Sequence, residues 1–221
     1  HLNNPSIAKD RRADLLNALH EKISNLTFLD PACGCGNFLV VAYRELRLLE
    51  LDILDVLYPK DQHGLFDISG MIKCHIGQFY GIELDEYATH IARVAMWLTD
   101  HQMNMLCAER LGQTRPTVPL TESATIINAN SLHTDWQVTD YILGNPPFVG
   151  HSYRTKVQQA DVTAIMPSEG KFGKLDYVAC WHIKASRMMT ANPMTKTAFV
   201  STNSICPVSY THLTLPTTPY V

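Results

Sequence analysis

The sequence predicts an α/β domain built on a mostly parallel sheet with helices on both faces. Three observations predict it. Apolar segments of strand length alternate along the chain with longer segments of helical period. Two of the strand-like segments run directly into turns rich in Gly, Pro and polar side chains, Asp30-Pro31-Ala32-Cys33-Gly34-Cys35-Gly36 and Gly144-Asn145-Pro146-Pro147-Phe148. No internal repeat or low-complexity tract interrupts the alternation before the last stretch of the chain.

Residues 8–24 place Leu15, Leu16, Leu19 and Ile23 among charged neighbours, the pattern of an amphipathic helix that covers a sheet face. Residues 27–30 form the first strand, and a long helix follows from 37 to 57. Residues 58–76, with Pro59, Gly64 and Gly70, read as a connection of little regular structure. The second strand covers 78–83. Asp85 caps or begins a helix from 86 to about 105. Its stripe is Ala88, Ile91, Ala92, Ala95, Leu98 and Met105, and Met96, Met103 and Met105 fill core space. Residues 112–123 are a loop, 125–128 a third strand and 141–144 a fourth. Between 149 and 174, glycines and lysines accompany Tyr153 and Arg154, which suits a mobile loop over a site and equally a surface connection. A helix from 175 to 190 and a fifth strand from 197 to 202 complete the alternation.

The turn after the first strand has the features of a ligand cradle. Gly34 and Gly36 let the backbone turn sharply and approach a ligand, and the helix that follows offers free N–H groups. Only G-x-G of the dinucleotide fingerprint is present, and Asp30 stands at the strand end. A carboxylate there repels a pyrophosphate and attracts the ammonium or sulfonium of a methionine-derived cofactor. At the end of the second strand, Tyr80-Gly81-Ile82-Glu83-Leu84-Asp85 carries an acidic side chain, Glu83, suited to accept hydrogen bonds from ribose hydroxyls.

After the fourth strand, Pro146 and Pro147 stiffen the backbone and keep it extended. Asn145 offers a side-chain oxygen, the proline carbonyls can accept hydrogen bonds, and Phe148 can stack on a planar heterocycle. Taken alone, the four residues also fit an ordinary proline-rich turn.

Composition narrows the class. The chain has 221 residues and is 46% hydrophobic, enough for the core of one domain. With no long apolar run and no basic-then-apolar N-terminus, the expectation is a cytoplasmic protein with no membrane association. The first residue is His1, which suggests that the true beginning is missing. The net charge is −3, made up of an acidic first half and a mildly basic second half that could face phosphates or simply solvent. Cys33-x-Cys35 and Cys74-His75 lack zinc-knuckle spacing, so no metal is expected, and Cys33 and Cys35 read as small turn residues.

With D-P-A-C-G-C-G-N-F, Y-G-I-E-L-D, N-S-L and G-N-P-P-F on successive strand ends, the chain resembles the amino-methylating DNA methyltransferases that use S-adenosylmethionine, the adenine-N6 branch above all. The strings R-E-L-R-L-L-E, A-M-W-L-T-D-H-Q-M-N, L-D-Y-V-A-C-W and A-F-V-S-T-N-S-I look like the methyltransferase region of large single-chain type II restriction-modification enzymes, IIG or IIL in kind. The resemblance implies a Rossmann-like class I methyltransferase sheet, incomplete at the C-terminus because five strands are visible where that fold has seven.

It also implies site residues. Asp30 would lie by the methionine part of the cofactor, with the backbone of Pro31, Ala32, Gly34 and Gly36 around it. Glu83 would hold the ribose, Leu84 would pack on the cofactor adenine and Asn130 would meet that adenine's edge, although Asp is commoner there. Asn145, Pro146, Pro147 and Phe148 would form the catalytic turn. The implied partner is double-stranded DNA with a flipped adenine, together with recognition regions of a parent chain absent here, with or without a nuclease domain. Methylation of a protein glutamine or an RNA base, or a cofactor-binding fragment with no activity of its own, are the alternatives. Residues 1–206 read as the catalytic domain and 207–221 as a non-native tail, since 201–221 carry no charged residue and P-V-S-Y-T-H-L-T-L-P-T-T resembles adapter read-through.

Overall fold

The computed structural model describes residues 9–58, 71–111, 124–166 and 175–201. The expected loop at 112–123, most of the connection at 58–76 and the expected tail lie outside the described residues. Five strands, β1 (Phe28–Asp30), β2 (Phe79–Glu83), β3 (Thr125–Asn128), β4 (Tyr141–Gly144) and β5 (Lys196–Phe199), form one sheet in the order β3-β2-β1-β4-β5. Every neighbouring pair is parallel. The order reverses direction between β1 and β4, so the crevice at their carboxyl ends is the place where a doubly wound sheet binds ligands.

Helices α1 (Lys9–Ser24), α2 (Asn37–Leu57), α3 (Glu86–Leu111), α4 (Lys156–Ile165) and α5 (Ala179–Ala191) connect and flank the strands. Successive strand side chains point to opposite faces. Phe28 therefore meets Phe79 and Tyr141 on one face, ring centroids 4.7 and 5.4 Å away, while Leu29 packs on the other with Ile82 and Ile142. The first face is covered by α1, α2 and α3 and the second by α4 and α5.

Several boundaries and faces differ from expectation, each for a physical reason. In α1 the buried positions are Leu16, His20 and Ile23, and Leu15 is turned outward, one residue off that stripe. In α3 the buried positions are Thr89, Ala92, Met96, Thr99, Met103, Asn104, Cys107 and Leu111. Ile91, Leu98 and Met105 lie on the opposite side, with Leu98 46% and Met105 59% exposed. Polar residues can occupy the inner face because their bonds are satisfied: Thr89 and Thr99 donate to the carbonyls of Asp85 and Ala95, and Asn104 accepts from Arg47.

The stretch after Val149 is helical where a loop was expected. Thr155 caps α4 by accepting from the Gln158 N–H, while the Gln158 side chain accepts from the Thr155 N–H. The next helix, α5, starts at Ala179 rather than 175 because Asp176 Oδ1 accepts from the N–H groups of both Val149 and Val178, a side-chain bond that competes with the helical ladder.

Between α1, α2 and α3 lies a buried charged network. Arg47 and Glu50 are both fully buried, with Arg47 Nε 3.3 Å from Glu50 Oε2. Glu50 Oε1 also accepts from the Lys73 and Cys74 N–H groups and lies 2.9 Å from His20 Nε2. Arg47 donates to the Tyr43 hydroxyl and Asn104, and Tyr43 donates to Asp100.

Candidate functional site

Asp30 ends β1 with 1% of its surface exposed. Its Oδ1 accepts from the Ala32 N–H at 3.0 Å, and its Oδ2 is buried without a partner among the described residues. Burial raises its pKa to about 7 against the effect of the Ala32 hydrogen bond, and the neighbouring Glu83 charge adds to the rise. The strand beside it must leave room: a Cβ on Gly144 would stand 2.5 Å from Asp30 Oδ1, so β4 can end at this point only as glycine.

The turn from Pro31 to Gly36 is drawn toward β2. Cys33 donates its N–H to the Ile82 carbonyl, and the Gly34 N–H donates to Glu83 Oε2 at 2.8 Å. Gly36 has φ 86°, and a side chain there would press on Ala92 of α3 at 3.1 Å, so helix packing and backbone geometry both require glycine. Burial pushes the Cys33 thiol up, with the Asp30 and Glu83 charges adding to it, which makes it an inert turn residue.

Glu83 closes the second strand as a carboxylate held from both sides. Its Oε1 accepts from the Asp85 N–H at 2.9 Å, and each oxygen keeps a lone pair for a further donor. After β3, Asn130 folds its side chain back so that Oδ1 accepts from the Leu132 N–H at 3.0 Å, which leaves its NH2 as the outward group. After β4, Asn145 is exposed, Pro146 is buried, and Pro147 and Phe148 are exposed, Phe148 at 41%. The chain beyond is anchored to the start of α5, where Asp176 holds the Val149 N–H and the Val149 carbonyl accepts from the Tyr177 N–H.

These strand ends open on one cleft of about 560 Å³. Of the residues predicted from sequence, Pro31, Ala32, Glu83, Leu84, Asn130, Asn145 and Pro147 line it. Asp30, Gly34, Gly36, Pro146 and Phe148 stand outside the lining: Asp30 lies beneath the turn, the glycines shape it, and Phe148 faces solvent.

The opposite wall went unread in the sequence. Thr155, Val157, Gln158 and Asp161 come from α4 and its cap, and Tyr177 and Trp181 from the start of α5. Asp161 is buried and bridges two elements, accepting from the Tyr177 hydroxyl at 2.5 Å and lying 2.6 Å from His133 Nε2. Two signals could have found this wall: the Thr155-x-x-Gln158 spacing of a capping box, and the aromatic pair within L-D-Y-V-A-C-W. Among the described residues, no group of three or more His, Cys, Asp or Glu converges as a metal site.

A parallel sheet in the order 3-2-1-4-5, with its cleft at the carboxyl ends of the strands beside the switch point, defines a doubly wound α/β domain, a class of fold that binds ligands at that position. Residues 6–215 match the family described as MmeI, DNA-methyltransferase domain. The chain belongs to that DNA-methyltransferase domain family.

The solved structure of a type IIL restriction-modification enzyme, MmeI in complex with DNA, superposes with a TM-score of 0.83 at 46% identity, over 88% of this chain and 27% of that one. DNA methyltransferase A of Bacillus subtilis (strain 168) is 36% identical over 200 residues, 86% of this chain and 22% of the relative. A putative type II restriction enzyme and methyltransferase of Methanocaldococcus jannaschii is 29% identical over 85 residues, 38% of this chain and 7% of the relative. The chain thus spans about a quarter of the length of the first two.

Proposed function

We infer that this DNA-methyltransferase domain transfers a methyl group from S-adenosylmethionine to the N6 amino group of adenine in DNA, as one part of a longer restriction-modification enzyme. The observation that carries this reading is convergence: Asn145 and Pro147 at the end of β4 line the same cleft as Glu83, Leu84 and Asn130 at the ends of β2 and β3. The donor set suits the cofactor. Asp30 Oδ2, a buried oxygen with no partner among the described residues, lies under the turn whose Pro31 and Ala32 line the cleft, and a cationic methionine moiety would offset its desolvation.

When bound, S-adenosylmethionine supplies a methyl group on a positively charged sulfur. The residues of the chain do the rest. Glu83 accepts from the ribose hydroxyls with its remaining lone pairs, Leu84 packs against the cofactor adenine, and the Asn130 NH2 donates to that ring's edge. Asn145 and the Pro146 carbonyl accept the two N6 hydrogens of the target adenine, which draws the nitrogen lone pair out of conjugation and aims it at the methyl group. One of those protons leaves to solvent after transfer. Phe148 stacks on the flipped base and offsets part of the few kcal/mol lost on unstacking it. The acceleration comes from orientation and preformed acceptors, with no covalent intermediate on the enzyme.

Asn145→Ala in the full-length enzyme tests this directly. Calorimetric binding of S-adenosylmethionine should stay close to wild type while transfer of labelled methyl to duplex DNA disappears. Retained transfer would remove Asn145 from the chemistry.

A further inference from the structure

The turn that follows β3 is held by a lysine that does not line the cleft. Within it, the Asn130 carbonyl accepts from the His133 N–H and the Thr134 hydroxyl, and Asn130 Oδ1 accepts from the Leu132 N–H. The turn therefore exposes outward carbonyls that its own donors do not satisfy. Lys184 of α5 fills them: Nζ donates to the Ser131 carbonyl at 2.5 Å, to the Leu132 carbonyl at 3.3 Å and to the Thr134 carbonyl. The ammonium also lies 5.1 Å from the centroid of the Trp136 ring, and the Trp136 indole donates to the same Ser131 carbonyl.

One helical turn earlier, Trp181 Nε1 donates to Ser131 Oγ at 3.0 Å and to the Pro31 carbonyl at 3.2 Å. The face of α5 that carries these two side chains thus ties the turn after β1 to the turn after β3, two sides of one cleft. Three N–H donors on a tethered ammonium match three converging carbonyls, a set no apolar side chain could satisfy. Burial brings Lys184 down to about 8, a shift that the Asp135 charge opposes.

Building on the assignment of Asn130 to the cofactor adenine, we propose that Lys184 is the positioning residue for the cofactor side of the cleft. It fixes Asn130 and Ser131 through the backbone of their turn and touches no ligand itself. Its contribution is to cofactor affinity and not to the methyl-transfer step.

The test uses the full-length enzyme and its Lys184→Met, Lys184→Ala and Lys184→Arg variants, with calorimetric affinity for S-adenosylmethionine, turnover at saturating cofactor, and thermal midpoint measured for each. Lys184→Met should weaken cofactor binding by about tenfold or more while turnover at saturation stays within about twofold of wild type. Ethylammonium should restore affinity to Lys184→Ala, an effect that a merely structural lysine would not give. Lys184→Arg, which keeps the charge and so protects the test against loss of folding, should bind with an affinity between wild type and Lys184→Met. Cofactor binding unchanged in both the Met and Arg variants would overturn the proposal, as would turnover lost with affinity intact. A wild-type enzyme that does not bind S-adenosylmethionine would instead overturn the cofactor assignment on which the proposal rests.

Discussion

Asp30 is buried with its pKa raised, and Phe148 is exposed, so the roles proposed for these two side chains make different predictions. Asp30 is raised to about 7 in the fold and lies near 3.9 when unfolded. Between about pH 4 and 7 the folded chain holds a proton that the unfolded chain releases, so stability falls as pH rises through that window and the full cost stands above it. Asp30→Asn is therefore expected to raise the thermal midpoint at pH 8, to change it little at pH 4, and to weaken S-adenosylmethionine binding. Melting curves at the two pH values check the sign. A wild-type midpoint that climbs between pH 4 and 7 by an amount the Asn variant abolishes would refute the assignment. Phe148, exposed at the end of the proline turn, should matter most when a base has to leave a duplex. Phe148→Ala is expected to lose far more activity on duplex DNA than on a single strand, and equal losses would contradict a stacking role. The strand-end positions of both residues were legible in the sequence, although Asn-Pro-Pro-Phe taken alone also fits an ordinary proline-rich turn. That Asp30 Oδ2 has no partner among the described residues was not, since it depends on which neighbours the sheet brings close.

Elements divide by whether their signals are local. The strands and α2 were legible because alternation, a glycine turn and a long apolar period are all contained within a few consecutive residues. The face of α3 was not. Its outward side carries Ile91, Val94, Leu98 and Met105, while its inward side includes Thr89, Thr99 and Asn104, so the hydrophobic period points the wrong way. Leu98→Lys is expected to change stability by no more than about 0.5 kcal/mol, as for ordinary surface positions. Met96→Lys, with a fully buried parent side chain, should be severely destabilising, and denaturant melts of the pair would show whether the assigned face is right. The α1–α2–α3 junction depends equally on long-range partners. Burial acts to raise the Glu50 pKa, but the His20 contact, the Cys74 and Lys73 N–H groups and Arg47 outweigh it and hold Glu50 below the usual carboxylate range. That contribution is present above the unfolded pKa and is lost as pH falls through the folded one. Arg47→Met should cost about 3–5 kcal/mol by leaving a buried carboxylate short of its cation, a loss that equilibrium unfolding at neutral pH would measure. In sequence, R-E-L-R-L-L-E carries the resemblance but gives no sign that its Arg and Glu are buried together.

At the scale of the whole molecule, sheet order is what turns separate motifs into a site. Asp30, Glu83, Asn130 and Asn145 are far apart in sequence, and a parallel sheet in the order 3-2-1-4-5 brings all four to the same edge. A mostly parallel sheet followed from the alternation of strands and helices, whereas its order did not. The second wall of the cleft did not, because α4 owes its place to Asp161 reaching His133 and Tyr177 across the fold. The family match runs from residue 6 to 215, while the proposed boundary between native domain and tail stands at 206/207. Sequencing the source locus across the Cys206 codon would test that boundary. The proposed activity turns on the atom modified, the N6 nitrogen of adenine in DNA. The most direct measurement is nucleoside mass spectrometry of DNA from cells expressing the full gene, with either Asn145 or Asn145→Ala. N6-methyladenine should appear with the wild-type gene and be absent with the variant. A mark on cytosine, or N6-methyladenine at equal levels with both genes, would contradict the account.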